Sequence, residues 1–290
     1  MNEALTAEAI DALWDYGDPA ESEARFQGLL RELRAGSAEY VEVLTQAARA
    51  QGLQRQFEAA HKSLDEAEEM LVAGMGRARA RYLLERGRVF RSSGNVEQAR
   101  PLFEAALNAA QPAGEDNYAV DAAHMLGIVE QGEAGVAWHV RAMEMAEQAK
   151  DPRARGWLGS LYNNLGWTFH DQGDYAQALE LFEKAQAFRE AKGQRPETLI
   201  ARWCVARCLR SLGRVEEALG RQRALLAEHE RDGGQDGYVF EELGECLLAL
   251  GRGEEARPYF AQAHTLLSQD EWLMDNEAAR VARLKGLGAL

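Results

Sequence analysis

Tyr162-Asn163-Asn164-Leu165-Gly166-Trp167-Thr168-Phe169, then Gly173-Asp174-Tyr175, then Ala178, Phe182 and Ala185, is the stretch whose spacing decides the fold. Counted from Gly159 as position 1, apolar or small residues fall at positions 4, 7, 8 and 11, and again at 20, 24 and 27. Each set marks one face of an α-helix, because residues three and four apart share a side. Small residues at 8, 20 and 27 let two backbones approach where the helices cross. The Gly173-Asp174 pair closes the first helix (A) and supplies an N-cap for the second (B).

The template recurs along the chain. Position 8 falls on Ile10, Ala48, Gly87, Ala123, Gly166, Ala206 and Gly244. Twelve residues later come Ser22, Ala60, Ala99, Gly135, Ala178, Ala218 and Ala256, every one small. Position 24 is Phe26, Leu64, Phe103, His139, Phe182, Gln222 and Phe260, and turn glycines stand at Gly17, Gly94, Gly173, Gly213 and Gly251. This pattern resembles the tetratricopeptide repeat. The spacing runs from 36 to 43 residues, longer than the family's usual 34 or so. In this, and in Ala99-Arg100-Pro101-Leu102-Phe103 and Ala256-Arg257-Pro258-Tyr259-Phe260, the chain is similar to the kinesin-light-chain-like and bacterial signalling subclass. The resemblance implies an all-α fold: a right-handed α-solenoid of about seven helix pairs. The repeats are placed at about 2–34, 40–72, 79–111, 115–150, 158–192, 198–231 and 236–267, with a C-terminal capping helix at 268–290. Asp18-Pro19-Ala20-Glu21 and Asn95-Val96-Glu97-Gln98 read as capping boxes opening B helices.

Composition bounds the rest. Ala, Leu, Glu, Arg and Gln dominate, all easy helix formers. A net charge of -14 disfavours nucleic acid and anionic lipid as partners. Cys204, Cys208 and Cys246 make no even disulfide set, Met1 to Leu5 show no basic leader, and no run is long enough for a membrane span. A cytoplasmic protein is expected. Cys204 and Cys208 lie four apart on one helical face but lack a second ligand pair, so they read as buried structural thiols. No HExxH, phosphate loop or serine elbow is present, so neither enzymatic activity nor a cofactor or metal is expected.

By the resemblance, positions 2, 5, 9 and 12 of the A helices line a concave groove. In repeats three to six these positions include Arg81, Arg88, Arg91, His124, Asn163, Trp167, His170, Trp203, Arg207 and Arg210, and no acid. Repeat two adds Arg49 beside Glu42, whereas repeats one and seven carry Asp11, Glu241 and Glu245, so that the groove is acidic at its ends. Asn164 is the only counterpart of the residues with which chaperone-tail-binding relatives clamp a terminal carboxylate. Arginine forks match carboxylates, and Trp gives a large flat contact at low entropic cost. The expectation is a protein- or peptide-binding adaptor that favours acidic or C-terminal segments, with His124 and His170 strengthening binding at mildly acidic pH. The alternative is a peptide-sensing regulator of the bacterial pheromone-receptor type, against which the lack of an effector bundle before the first repeat counts. Homodimerisation through an edge repeat is left open.

Overall fold

The computed structural model describes residues 5–289, and every regular element among them is a helix. Residues 1–4 and 290, which the expected first repeat and terminal helix include, lie outside the described residues. No described helix is long and apolar enough to cross a membrane.

The chain divides into two compact units at Leu161 and Tyr162. Unit 1 holds α1 (Ala7–Asp11), α2 (Pro19–Leu30), α3 (Ala38–Leu53), α4 (Phe57–Met70), α5 (Gly76–Ser92), α6 (Val96–Ala110), α7 (Asp116–Val129), α8 (Gly132–Gln148) and α9 (Pro152–Gly156). With α10 (Leu158–Asp171), which straddles the division, come α11 (Tyr175–Ala191), α12 (Arg195–Ser211), α13 (Val215–Arg231), α14 (Gly237–Ala249), α15 (Gly253–Leu267), α16 (Glu271–Asn276) and α17 (Ala278–Ala289) in unit 2. Helices pack in sequential pairs within each unit, α5 on α6 and α14 on α15 most extensively. In unit 1 the A helices α3, α5 and α7 also touch one another in turn.

Size complementarity at the helix crossings explains the pairing. Where position 8 is glycine, position 24 is phenylalanine: Gly87 faces Phe103, Gly166 faces Phe182 and Gly244 faces Phe260. A methyl group added to any of the three glycines would come within 2.5–2.7 Å of the ring. Those rings are buried essentially completely, and burying each contributes about 2–3 kcal/mol. Where position 8 is alanine, position 24 is Leu64, His139 or Gln222 instead. His139 packs on Gly127, twelve residues before it rather than sixteen, so the glycine-to-ring contact in α7 and α8 is made one turn along.

Asp18 and Asp174 cap α2 and α11 through the backbone N–H groups of Glu21 and Gln177. Asn95, expected to do the same for α6, does not; its amide instead donates to Ser93 Oγ. Gly94, Gly173, Gly213 and Gly251 turn with φ between +71° and +88°. Gly17 needs no such turn, because Asp15 Oδ1 accepts its N–H and holds the bend. Pro101 and Pro258 are carried inside α6 and α15 without breaking them. The expected single terminal helix is two, interrupted at Glu277, with α17 packed on α15 and Val281 and Leu284 buried.

Candidate functional site

The A-helix positions singled out in the sequence carry quite different surroundings in the two units. In unit 1 Arg49, Arg81 and Arg88 are paired. Arg81 is 1% exposed; its Nε donates to the Tyr118 hydroxyl at 2.6 Å, its Nη2 to Asp11 at 2.6 Å, and Glu42 stands 3.6 Å away. Arg88 bridges Glu85 (2.6 Å) and Asp121, and Arg49 reaches Glu85 at 3.4 Å. Arg91 is exposed and lines a small cavity with Arg49 and Arg88. Leu84 and Val120, also placed on the groove by the spacing, are buried. Arg49, Arg81 and Arg88 are therefore neutralised within the fold rather than offered free to an acidic ligand, whereas Arg91 is exposed.

The acids that meet Arg49 and Arg88 sit at position 6, one the four sampled positions skip, whereas Asp11 and Glu42 beside Arg81 stand at sampled positions 9 and 2. Arg49, Arg88 and Arg207 at position 9 each meet an acid at position 6 of the following repeat: Glu85, Asp121 and Glu242. An arginine followed 33 to 36 residues later by a carboxylate was the signal in the sequence that could have revealed this ladder.

His124 does not behave as a groove switch. It is buried, and burial holds its pKa down at about 4, so it stays neutral at mildly acidic pH. Burial also lowers His170, with Arg207 adding to the effect. The expected gain of positive charge from these two side chains near pH 6 is thus corrected.

Unit 2 presents an aromatic row. Trp167 on α10, Trp203 on α12 and Tyr238 on α14 follow one another at centroid distances of 6.0 Å and 6.0 Å. Trp203 is fixed by donating its indole N–H to the Tyr238 carbonyl at 3.1 Å. Beside this row lies a cavity of about 460 Å³ walled by Pro196, Leu199, Ile200, Trp203 and Tyr238, with His229 and Asp236 as its polar lining and Ile200 58% exposed. Tyr238, at position 2 of repeat seven, and Pro196 join the site without having been singled out by residue type in the sequence. Nearby, Arg207 and Arg210 share the single carboxylate of Glu242 at 3.0 and 2.8 Å, which leaves one positive charge uncompensated by that acid. His170 Nε2 lies 2.9 Å from Ser211 Oγ. Asn163 accepts from the Cys204 thiol at 3.4 Å, and the Asn164 carbonyl takes the Thr168 hydroxyl.

Cys204, Cys208 and Cys246 are all buried, as the spacing indicated. Burial pushes their thiols up to about 12, 11 and 12, which keeps them protonated and unreactive.

Comparison with known proteins agrees with this architecture. One sequence profile described as tetratricopeptide repeat matches residues 129–191, and a second of the same description matches 45–115, 163–232 and 206–271. Among solved structures, the apo form of RapI is similar over 98% of this chain and 79% of its own, with a TM-score of 0.75 at 12% identity. BtubC (BKLC) from P. vanneervenii matches 79% of this chain and 94% of its own, with a TM-score of 0.62 at 17% identity. NprR, solved in complex with its cognate peptide NprX, matches 97% of this chain and 82% of its own, with a TM-score of 0.55 at 15% identity. Profiles that match well over half of the residues, on helices that pair as the repeat requires, show that the chain belongs to the tetratricopeptide repeat family.

Proposed function

We propose that this chain is a non-enzymatic adaptor of the cytoplasm that binds a polypeptide segment on the A-helix face of unit 2. The observation that carries the reading is the Trp167–Trp203–Tyr238 row with its adjoining apolar cavity. Large rigid aromatic groups beside a pocket are typical anchors of a peptide interface. The cavity has room for two aliphatic or aromatic side chains of the ligand, while Arg207 and Arg210, with one acid between them, favour a carboxylate next to it. Three buried free thiols fit a reducing compartment.

The test is a peptide array probed with the full chain and with Trp203→Ala, Ile200→Asp and Arg207→Ala. Trp203→Ala and Ile200→Asp should each weaken the selected peptides at least tenfold, about 1.4 kcal/mol or more. Unchanged binding by both would remove this face from the reading. The expected preference for acidic segments is tested by the third variant, which should lose affinity only for peptides bearing a carboxylate.

A second reading, a peptide-sensing regulator that changes conformation on binding, is favoured by the likeness to RapI and to peptide-bound NprR. It requires a change in radius of gyration when a selected peptide is added, measured by small-angle scattering. An adaptor of fixed shape would show none.

A further inference from the structure

We infer that α1 and the turn after it, residues 7–16, are a resident ligand of the A-helix face of unit 1, and that a partner helix carrying Glu-x-Ile-Asp-x-x-Trp chemistry can take their place. The inference extends peptide binding to a second face and uses no residue of unit 2.

Three features of the segment point this way. It is a helix of only five residues, too short to be stable by itself, so its order comes from what it lies on. Its acids reach far along the chain: Asp11 to Arg81, seventy residues on, and Glu8 to Arg153 at 3.1 Å. Its aromatic end is gripped as well. Trp14 donates its indole N–H to Gln46 at 3.0 Å, and the Arg49 guanidinium lies 5.4 Å from the centroids of both Trp14 and Tyr16. Ile10 completes the set, fully buried in the same core as Phe26.

The receiving side is built in advance. Arg81 is fixed by Tyr118 and Glu42 independently of α1, and its Nη1 is buried without a hydrogen-bond partner. The acids of α1 remain accessible, with Asp11, on Arg81, 41% and Glu8, on Arg153, 64% exposed at the side chain. A buried, preformed cation that meets a half-exposed carboxylate on a short element is the arrangement of a receptor with its ligand. A competing helix must bring an aliphatic group for the Ile10 site as well as the two acids and the indole.

The probe is a fluorescein-labelled peptide of residues 5–16, followed by anisotropy with the full chain. Glu8→Gln with Asp11→Asn keeps the shape of the segment while removing its charge. The peptide should bind this double variant at least tenfold more tightly than it binds the unaltered chain, and adding Arg153→Gln should reverse most of that gain. No binding to a folded double variant would overturn the inference. Hydrogen exchange on the unaltered chain decides the matter if the double variant unfolds. Amides of 7–16 are expected to exchange at least tenfold faster than those of α3 and α5, whereas equal protection would make α1 a fixed first helix and no ligand.

Discussion

Unit 1 and unit 2 use the same repeat and the same ladder of arginine to acid between neighbouring A helices, yet one face is filled and the other is open. In unit 1 the acids of α1 lie over Arg81 and Arg153, and Arg81 is sealed from solvent. In unit 2 the corresponding helices carry Trp167, Trp203 and Tyr238, and Arg207 and Arg210 remain 27% and 20% exposed at the side chain. The repeat code sets which helices pair, and says little about whether their shared face is available. Availability depends on side chains outside the signature positions.

The largest expected contrast is the cost of removing one arginine from each face. Arg81→Ala removes a guanidinium that is 1% exposed together with its bonds to Tyr118 and Asp11, while Glu42 keeps Arg77 at 2.8 Å; the lost buried charge-assisted bonds cost about 2–3 kcal/mol. Arg207→Ala leaves Glu242 still paired with Arg210 at 2.8 Å, and the partly exposed Arg207 side chain it removes contributes about 1 kcal/mol. Chemical denaturation of the two variants measures both. Equal losses would erase the distinction drawn between the faces.

A pH titration sharpens the same contrast. His124 in unit 1 has its pKa lowered from 6.5 to about 4 by burial, and burial lowers His139 beside it too. A depressed folded-state value means that the unfolded chain takes up the proton first. The stability is fully present above about pH 6.5 and is lost as pH falls towards 4, by up to about 3 kcal/mol for His124. His124→Leu should flatten that part of the stability profile. If the profile of the variant keeps the same slope, neutral His124 is not what unit 1 requires.

The helix pairing was legible in the sequence because it depends on contacts between residues twelve to sixteen apart, where glycine at 87, 166 and 244 and phenylalanine at 103, 182 and 260 spell the crossing directly. The faces were less legible. Whether Arg88 is free depends on Asp121, and whether Arg81 is open depends on Asp11; these are lateral contacts 33 and 70 residues apart, whose register is set only once the repeats have stacked. The spacing puts Trp167, Trp203 and Tyr238 at groove positions 9, 5 and 2 of successive repeats, but that they form one row shows only when the Tyr238 ring lies beside the Trp203 indole. The failure of Asn95 as a cap has a similar origin: its amide finds Ser93 instead.

The smallest effect concerns the one polar residue that each unit places among the position-24 rings, His139 in unit 1 and Gln222 in unit 2. Gln222 is fully buried, and neither its amide nitrogen nor its oxygen has a partner. An unpaired buried polar group costs about 1–3 kcal/mol, so Gln222→Leu should stabilise the chain by about 1–2 kcal/mol, visible as a higher denaturation midpoint at unchanged slope. Leucine is the right size, because Ala206 stands opposite, as Ala48 stands opposite Leu64. Phenylalanine is not: the methyl group of an alanine at the equivalent glycines would come within 2.5–2.7 Å of the ring. Gln222→Phe should therefore gain nothing alone and gain fully when combined with Ala206→Gly. If Phe and Leu perform equally with Ala206 in place, the size rule that links positions 8 and 24 does not extend to this repeat of unit 2.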